Sequence, residues 1–170
     1  DGFDLVNIQF VIHYMFKEKK ILNKFLTNVE EMCRVSGYFI GTCFDGKTTF
    51  DLLKKKKKGE YIIGYDNKKN PIWRLKKEYS ATTFKDDETS LGLPVNVIMD
   101  SIGTENMEYL VNFDYLTNML ELRGLELLNS DECEQFGIPC GEEGKSTGLF
   151  SDLYDNYLSS GEFGEMSSYE

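Results

Sequence analysis

The chain has 170 residues, 41% of them hydrophobic and 14% aromatic, which suits one ordinary domain with a sizeable core and excludes a globally disordered polymer. Its net charge of −10 hides a split: residues 1–79 carry 16 Lys/Arg and 10 Asp/Glu, whereas residues 80–170 carry 3 and 19. A basic half and an acidic half point to a polyanion on one face and a cation or partner on another, so the protein is not read as simply acidic.

The opening Asp1-Gly2-Phe3-Asp4 has no initiator Met, basic region or apolar run, so it is not a signal peptide and reads as the interior of something longer. Residues 3–12 form an apolar, β-branched run predicted as a central strand. Over 17–34, Ile21, Leu22, Phe25, Leu26, Val29 and Met32 recur at helical spacing, and Ser36-Gly37 reads as the stop. Residues 38–44 make a second buried strand, and Asp45-Gly46 turns into a helix over 47–57. Strand, helix, strand, helix is a βαβ unit, whose sheet is parallel.

Five consecutive lysines, Lys54, Lys55, Lys56, Lys57 and Lys58, follow. Residues 60–65 and 71–79 alternate apolar and polar around Asp66-Asn67 and Asn70-Pro71, predicting an antiparallel hairpin. Residues 95–101 and 107–113 are a strand pair or a strand leading into a helix. Residues 113–123 are helical and end at Gly124. Residues 125–129 read as strand, 130–148 as an acidic Gly-containing loop and 149–158 as a short helix with a frayed remainder. The division expected is 1–129 as a core with insertions and 130–170 as an acidic tail region. No run of about 18 apolar residues is present, so no transmembrane helix is expected. Cys33, Cys43, Cys133 and Cys140 form no CxxC pair and have one histidine for company, so they are read as reduced thiols of an intracellular protein, with no metal site.

The segment that carries chemistry is Gln9-Phe10-Val11-Ile12-His13-Tyr14, at the end of the first strand. In open α/β sheets ligands bind outside the carboxyl ends of the strands, so a Gln, a His and the aromatics Phe10, Tyr14 and Phe16 arrive at the mouth of a site. Taken singly each has a plainer reading: His13 as a strand-end histidine satisfied locally, Tyr14 and Phe16 as core.

Three pieces occur in order: Gln9-Phe10-Val11-Ile12-His13-Tyr14, then Gly37-Tyr38-Phe39-Ile40-Gly41-Thr42, then Glu108-Tyr109-Leu110-Val111-Asn112-Phe113. Together they resemble the eukaryotic and viral mRNA cap (guanine-N7) methyltransferases over roughly residues 3–128. Thr42-Cys43-Phe44-Asp45-Gly46, Ser90-Leu91-Gly92-Leu93-Pro94 and Asp100-Ser101-Ile102-Gly103 look like the enzymes of large cytoplasmic DNA viruses, where this domain often closes a multifunctional capping enzyme. The resemblance implies a Rossmann-like class I methyltransferase fold, C-terminal half, with antiparallel insertions. It implies S-adenosylmethionine as cofactor and capped RNA as partner. Further partners are other capping-enzyme domains or a stimulatory subunit; no membrane is involved. The compartment is the host cytoplasm or virion if viral, and the nucleus if cellular.

By motif position, Gln9 and Tyr14 contact the cofactor, Phe10 and His13 border the cap base, and Glu108 reads the guanine edge. Phe44 stands where many cellular members carry a proline beside the base, so that contact is altered. The family's Gly-rich loop, ribose-holding acid and upstream basic segment are expected before residue 1. The strand that supplies a further aromatic to the cap is not found. These residue types suit the chemistry. A carboxylate accepts from the two N–H groups of the guanine edge, and aromatic faces attract the positive charge acquired on N7 methylation. Guanine N7 already has a lone pair, so positioning is required and no residue is given a proton-transfer role. Glu108 alone also reads as a solvated strand residue. Lys54–Lys58, with Lys68, Lys69, Arg74, Lys76 and Lys77, either track RNA phosphates or simply solvate a helix end. Two rival functions stay open: a class I methyltransferase with another substrate, and a non-catalytic methyltransferase-like subunit.

Overall fold

The computed structural model describes residues 2–66, 68–99, 103–137 and 150. Residues 1–125 form one compact unit and residues 126–170 another.

The first unit opens with the expected βαβ arrangement. Strands β1 (Phe3–Gln9) and β2 (Cys33–Thr42) pair in parallel, connected through a short helix α1 (Ile12–Met15) and the long helix α2 (Lys19–Met32). The strand predicted over 3–12 stops at Gln9. Phe10 turns the chain with a φ of 51°, and its N–H donates to the Thr42 carbonyl at 3.0 Å, so the next residues coil into α1. The end of α2 also differs from expectation. β2 begins at Cys33, and Ser36-Gly37, read as a helix stop, lies inside it. The register jumps there from Phe3 opposite Cys33 to Leu5 opposite Tyr38, and Ser36 takes a φ of 62°. A Cβ on Gly37 would sit 2.9 Å from the carbonyl oxygens of both Arg34 and Phe3, so the irregularity needs glycine. The apolar stripe of α2 buries Leu22, Leu26 and Val29, and the first two pack with Ile12, Phe16, Val111, Tyr115 and Leu116. Phe16 is therefore core.

Helix α3 (Gly46–Leu52) begins with Asp45, whose carboxylate accepts from the Lys47 and Thr48 amides. It ends before the lysine run, so Lys54–Lys57 follow the helix instead of lying along it as the 47–57 prediction has them. The four-stranded antiparallel sheet runs β3 (Tyr61–Tyr65), β4 (Pro71–Lys77), β5 (Pro94–Met99), β6 (Glu105–Tyr109), in chain order. The β3–β4 hairpin turns at Asp66, whose side chain accepts from the Lys68 and Asn70 amides. Of the 95–101 and 107–113 segments, residues 95–99 and 107–109 lie in a strand pair and Phe113 opens a helix; residues 100 and 101 lie outside the described residues. Phe50, Leu53, Tyr79, Leu93, Val95, Val97 and Leu110 form the core beneath this sheet. Helix α4 (Phe113–Glu121) starts at the fully buried Asn112, which caps Tyr115 N–H and donates to the Lys85 carbonyl. Gly124 follows it with a φ of 79°.

Residues 125–129 form no strand. In the second unit Asn129 caps helix α5 (Ser130–Phe136) in a reciprocal box with Glu132, and Gly137 closes it in the left-handed region. The loop expected over 130–148 is helical over 130–136, where Asn129 and Glu132 supply a capping signature that composition alone does not register. The rest of that loop, and the helix expected over 149–158 apart from residue 150, lie outside the described residues.

Candidate functional site

Strand pairing creates the site. In the antiparallel sheet Lys77 lies opposite Val95, and Val95 lies opposite Glu108, so these three side chains share one face in a single cross-strand row. All three are buried. The ends of the row are two strand spacings apart, roughly 10 Å.

At the Glu108 end the sheet meets α1. His13 Nε2 approaches Glu108 Oε2 at 3.7 Å, which is ion-pair range but not a hydrogen bond. His13 is 3% exposed and Glu108 9%. Both imidazole nitrogens and Glu108 Oε2 are buried with no hydrogen-bond partner among the described residues. Leaving such groups unsatisfied costs about 1–3 kcal/mol each. Burial lowers the His13 pKa from 6.5 and raises the Glu108 pKa from 4.5, so each is pushed toward its neutral form. The solvated-strand reading of Glu108 and the locally satisfied reading of His13 do not describe these environments.

Aromatic rings flank the pair. The His13 and Tyr14 ring centroids are 4.2 Å apart, and Phe44 lies 6.2 Å from His13. Tyr14 and Phe44 keep part of their surface exposed. Phe44 is held by its neighbours: Asp45 caps α3, and Gly46 N–H donates to the Val111 carbonyl at 3.2 Å. A Cβ on Gly46 would fall 2.1 Å from that carbonyl oxygen, so only glycine permits this approach between the 43–46 loop and the chain entering α4. Lys47 bridges Asp86 and Asp114 across the same junction. Next to Phe44, burial pushes the Cys43 thiol up to about 11, which keeps it protonated and unreactive.

Gln9 and Phe10 stand at the carboxyl end of β1, next to Thr42 at the end of β2. The Gln9 side chain accepts from the Thr42 hydroxyl at 2.7 Å and donates to Asn7, while the Phe10 ring is half-exposed. The structure thus brings His13, Tyr14, Phe44 and Glu108 into one cluster and places Gln9 and Phe10 at the adjoining strand ends.

At the other end of the row, Lys54, Lys56, Lys57 and Lys58 line a cavity of about 490 Å³ together with Lys77 and Tyr79. Lys77 Nζ donates to the Leu53 carbonyl at 3.2 Å and stands 4.8 Å from the Tyr79 ring centre. Phe50 stacks on Tyr79 at 5.5 Å and on Phe84 at 5.3 Å. Sequence reasoning does not find Tyr79. A signal for Lys77 exists, since the β4 alternation puts it on the face of Trp73 and Leu75, but its burial follows from the covering helix.

Residues 2–156 match the family described as the mRNA (guanine-N(7))-methyltransferase domain. The chain is 34% identical over 135 residues to the probable mRNA-capping enzyme of Acanthamoeba polyphaga mimivirus, covering 76% of this chain and 11% of that protein. It is 25% identical over 124 residues to the mRNA cap guanine-N(7) methyltransferase of Eremothecium gossypii, covering 73% of this chain and 29% of that protein. With the Arabidopsis thaliana mRNA cap guanine-N(7) methyltransferase 1 it shares 27% identity over 135 residues, covering 79% and 34%. The chain therefore spans a small part of the mimivirus protein and about a third of the cellular ones.

Proposed function

The chain belongs to the mRNA (guanine-N(7))-methyltransferase domain family, and on that premise we propose that its His13–Glu108 cluster binds the cap guanine for methylation at N7. The α/β fold is that of a class I methyltransferase, an enzyme class that generally takes its methyl group from S-adenosylmethionine. The observation that carries the reading is the facing pair of buried, unpartnered polar groups between exposed aromatic rings. A guanine supplies what they lack. Glu108 accepts from the two N–H groups of the base edge, an arrangement adenine does not offer. His13, held neutral by burial, keeps an N–H to donate to the base. Tyr14, Phe10 and Phe44 face the ring and stabilise its developing positive charge. No residue transfers a proton, because guanine N7 reacts through its own lone pair; the chain acts by orientation and by excluding water.

Gln9 and Tyr14 are the residues we assign to the cofactor. A side-chain amide and a half-exposed ring at a strand's carboxyl end fit a polar, adenine-bearing molecule. S-adenosylmethionine supplies the methyl group from its sulfonium when bound. Two contacts are few, and Phe3, Leu5, Val35 and Ile40 of the β1–β2 sheet are exposed, a surface we assign to the rest of the family's fold. The 170 residues alone are thus expected to show no micromolar binding of S-adenosylmethionine by calorimetry. Lys54–Lys58 are assigned to the RNA backbone, and the protein to the cell interior on its cysteine usage.

The test is methyl transfer from labelled S-adenosylmethionine by the whole protein to GpppA-capped and to uncapped RNA. Transfer to capped RNA only, abolished by Glu108→Ala, is expected. Transfer to uncapped substrates with none to capped RNA overturns the proposal.

A further inference from the structure

We propose that the lysine-lined cavity at the Lys77 end of the row is a nucleotide-phosphate site that holds one unit of the RNA chain behind the cap. The inference rests on the cap reading of the Glu108 pocket, and its chemistry comes from the cavity itself. A volume of about 490 Å³ lies within the range of small-molecule sites and accepts a nucleotide. Its buried lining sets two polar groups, Lys77 and the Tyr79 hydroxyl, beside the apolar Phe50. Lys77, 6% exposed, spends one N–H on the Leu53 carbonyl and has no carboxylate within 4 Å among the described residues. Tyr79, 4% exposed, carries a hydroxyl that is buried without a hydrogen-bond partner. Burial pushes that hydroxyl up to about 12, so it remains a donor. The rim adds Lys54, Lys56, Lys57 and Lys58; Lys54 is paired with Asp51 at 3.6 Å, and the other three have no ion-pair partner among the described residues.

Unspent N–H and O–H donors under a ring of cations are chemically complementary to an anion with several acceptor oxygens, and a phosphodiester is such a group. The aromatic rings beneath are packed on each other, so they set the shape of the floor and hold the donors in place. The cavity shares its sheet face with Glu108, two strands away. Val95, buried between them, keeps the two ends roughly 10 Å apart, a distance the phosphate chain behind the cap has to span.

Binding to the whole protein is measured by fluorescence anisotropy with a GpppA-capped 12-mer, the same 12-mer uncapped, GpppA alone and AMP, across a salt series. The triple variant Lys56→Gln/Lys57→Gln/Lys58→Gln changes only rim residues and leaves the core intact; Tyr79→Phe removes one buried donor. The triple variant is expected to weaken both 12-mers about tenfold and to flatten their salt dependence, since each lost phosphate contact removes about 0.7 from the logarithmic slope. Its loss on the 12-mers should exceed its loss on GpppA at least fivefold, and Tyr79→Phe should act in the same direction by about threefold. An unchanged affinity and slope, equal losses on 12-mer and GpppA, or no binding of the 12-mer by the unsubstituted chain overturns the proposal. AMP binding as tight as the 12-mer, lost in the same variants, also overturns it by making a free nucleotide the ligand. Failure of the cap reading looks different. Capped and uncapped 12-mers then bind alike and ignore Glu108→Ala, while the lysine effect persists.

Discussion

The two ends of the Lys77–Val95–Glu108 row solve the burial of polar groups in opposite ways. At the Glu108 end a carboxylate faces an imidazole, and burial drives both toward neutrality. At the Lys77 end cations gather with one tyrosine hydroxyl and no buried acid among the described residues. A pocket of buried, unsatisfied donors and acceptors discriminates by hydrogen-bond pattern, because a ligand with the wrong edge leaves those groups orphaned. A cluster of like charges discriminates little by pattern. It attracts any polyanion and weakens with salt. One sheet face thus carries a selective end and an adhesive end.

The strongest way to break that contrast is Glu108→Gln. The substitution keeps the shape but turns one acceptor into a donor, which under the proposed cap reading faces the guanine N–H groups. Methylation of capped RNA by the whole protein is expected to fall at least about 100-fold in kcat/KM, while binding of an uncapped 12-mer changes less than about twofold. Equal losses in both measurements would erase the distinction between the ends. Glycines at each end give the next test. Gly46→Ala places a methyl group 2.1 Å from the Val111 carbonyl oxygen and should cost about 2–3 kcal/mol of stability. Gly59, at the end of the lysine run, has a φ of 89° but open space around it, so Gly59→Ala should cost only about 1 kcal/mol. Urea unfolding of both variants checks the order; a reversal means that the 43–46 loop is not pinned against Val111.

Phe44→Ala sharpens the selective end. Loss of one stacking face on the base should raise KM for capped RNA about tenfold, within the range of about 1–3 kcal/mol per stacked base, and leave the salt dependence of RNA binding unchanged. A change in salt slope with no change in KM would move Phe44 out of the base pocket.

Local patterns in the sequence account for much of this arrangement. Apolar spacing places α2, and the alternation around Asp66-Asn67 places the β3–β4 hairpin. The family resemblance carried by three ordered motifs, not periodicity, nominates His13 and Glu108, together with Phe44 just beyond the second motif, as neighbours. Backbone events are not legible in the same way. Phe10 and Ser36 take positive φ although neither is glycine, and those two residues decide where β1 ends and how β2 is bulged. The row is also out of reach of the sequence, because it depends on the β4–β5 and β5–β6 registers, which no local pattern states. Once Lys77 and Glu108 are known to flank Val95, Lys54, Lys56, Lys57 and Lys58 are seen to line the same cavity as Lys77. Tyr79 has no local signal at all, since a tyrosine beyond the end of a strand reads the same whether its hydroxyl meets water or a cavity.

The smallest effect concerns how the selective end responds to pH. Burial holds His13 below 6.5 in the folded protein. As pH falls from 6.5 toward that lowered value, the unfolded chain takes up a proton that the folded chain refuses, so stability is full above 6.5 and is lost on acidification. Glu108 acts with the opposite sign. Its folded pKa lies above 4.5, so as pH rises from 4.5 through the raised value the folded chain keeps a proton that the unfolded chain releases, and stability declines. The two slopes oppose each other wherever their windows overlap, and single substitutions separate them. His13→Gln should flatten the loss of stability on acidification below pH 6.5, and Glu108→Gln should flatten the loss on raising pH above 4.5, both read as urea midpoints across the pH range. A His13→Gln profile parallel to that of the unsubstituted protein would mean that His13 titrates normally, and the neutral donor assigned to it would be lost.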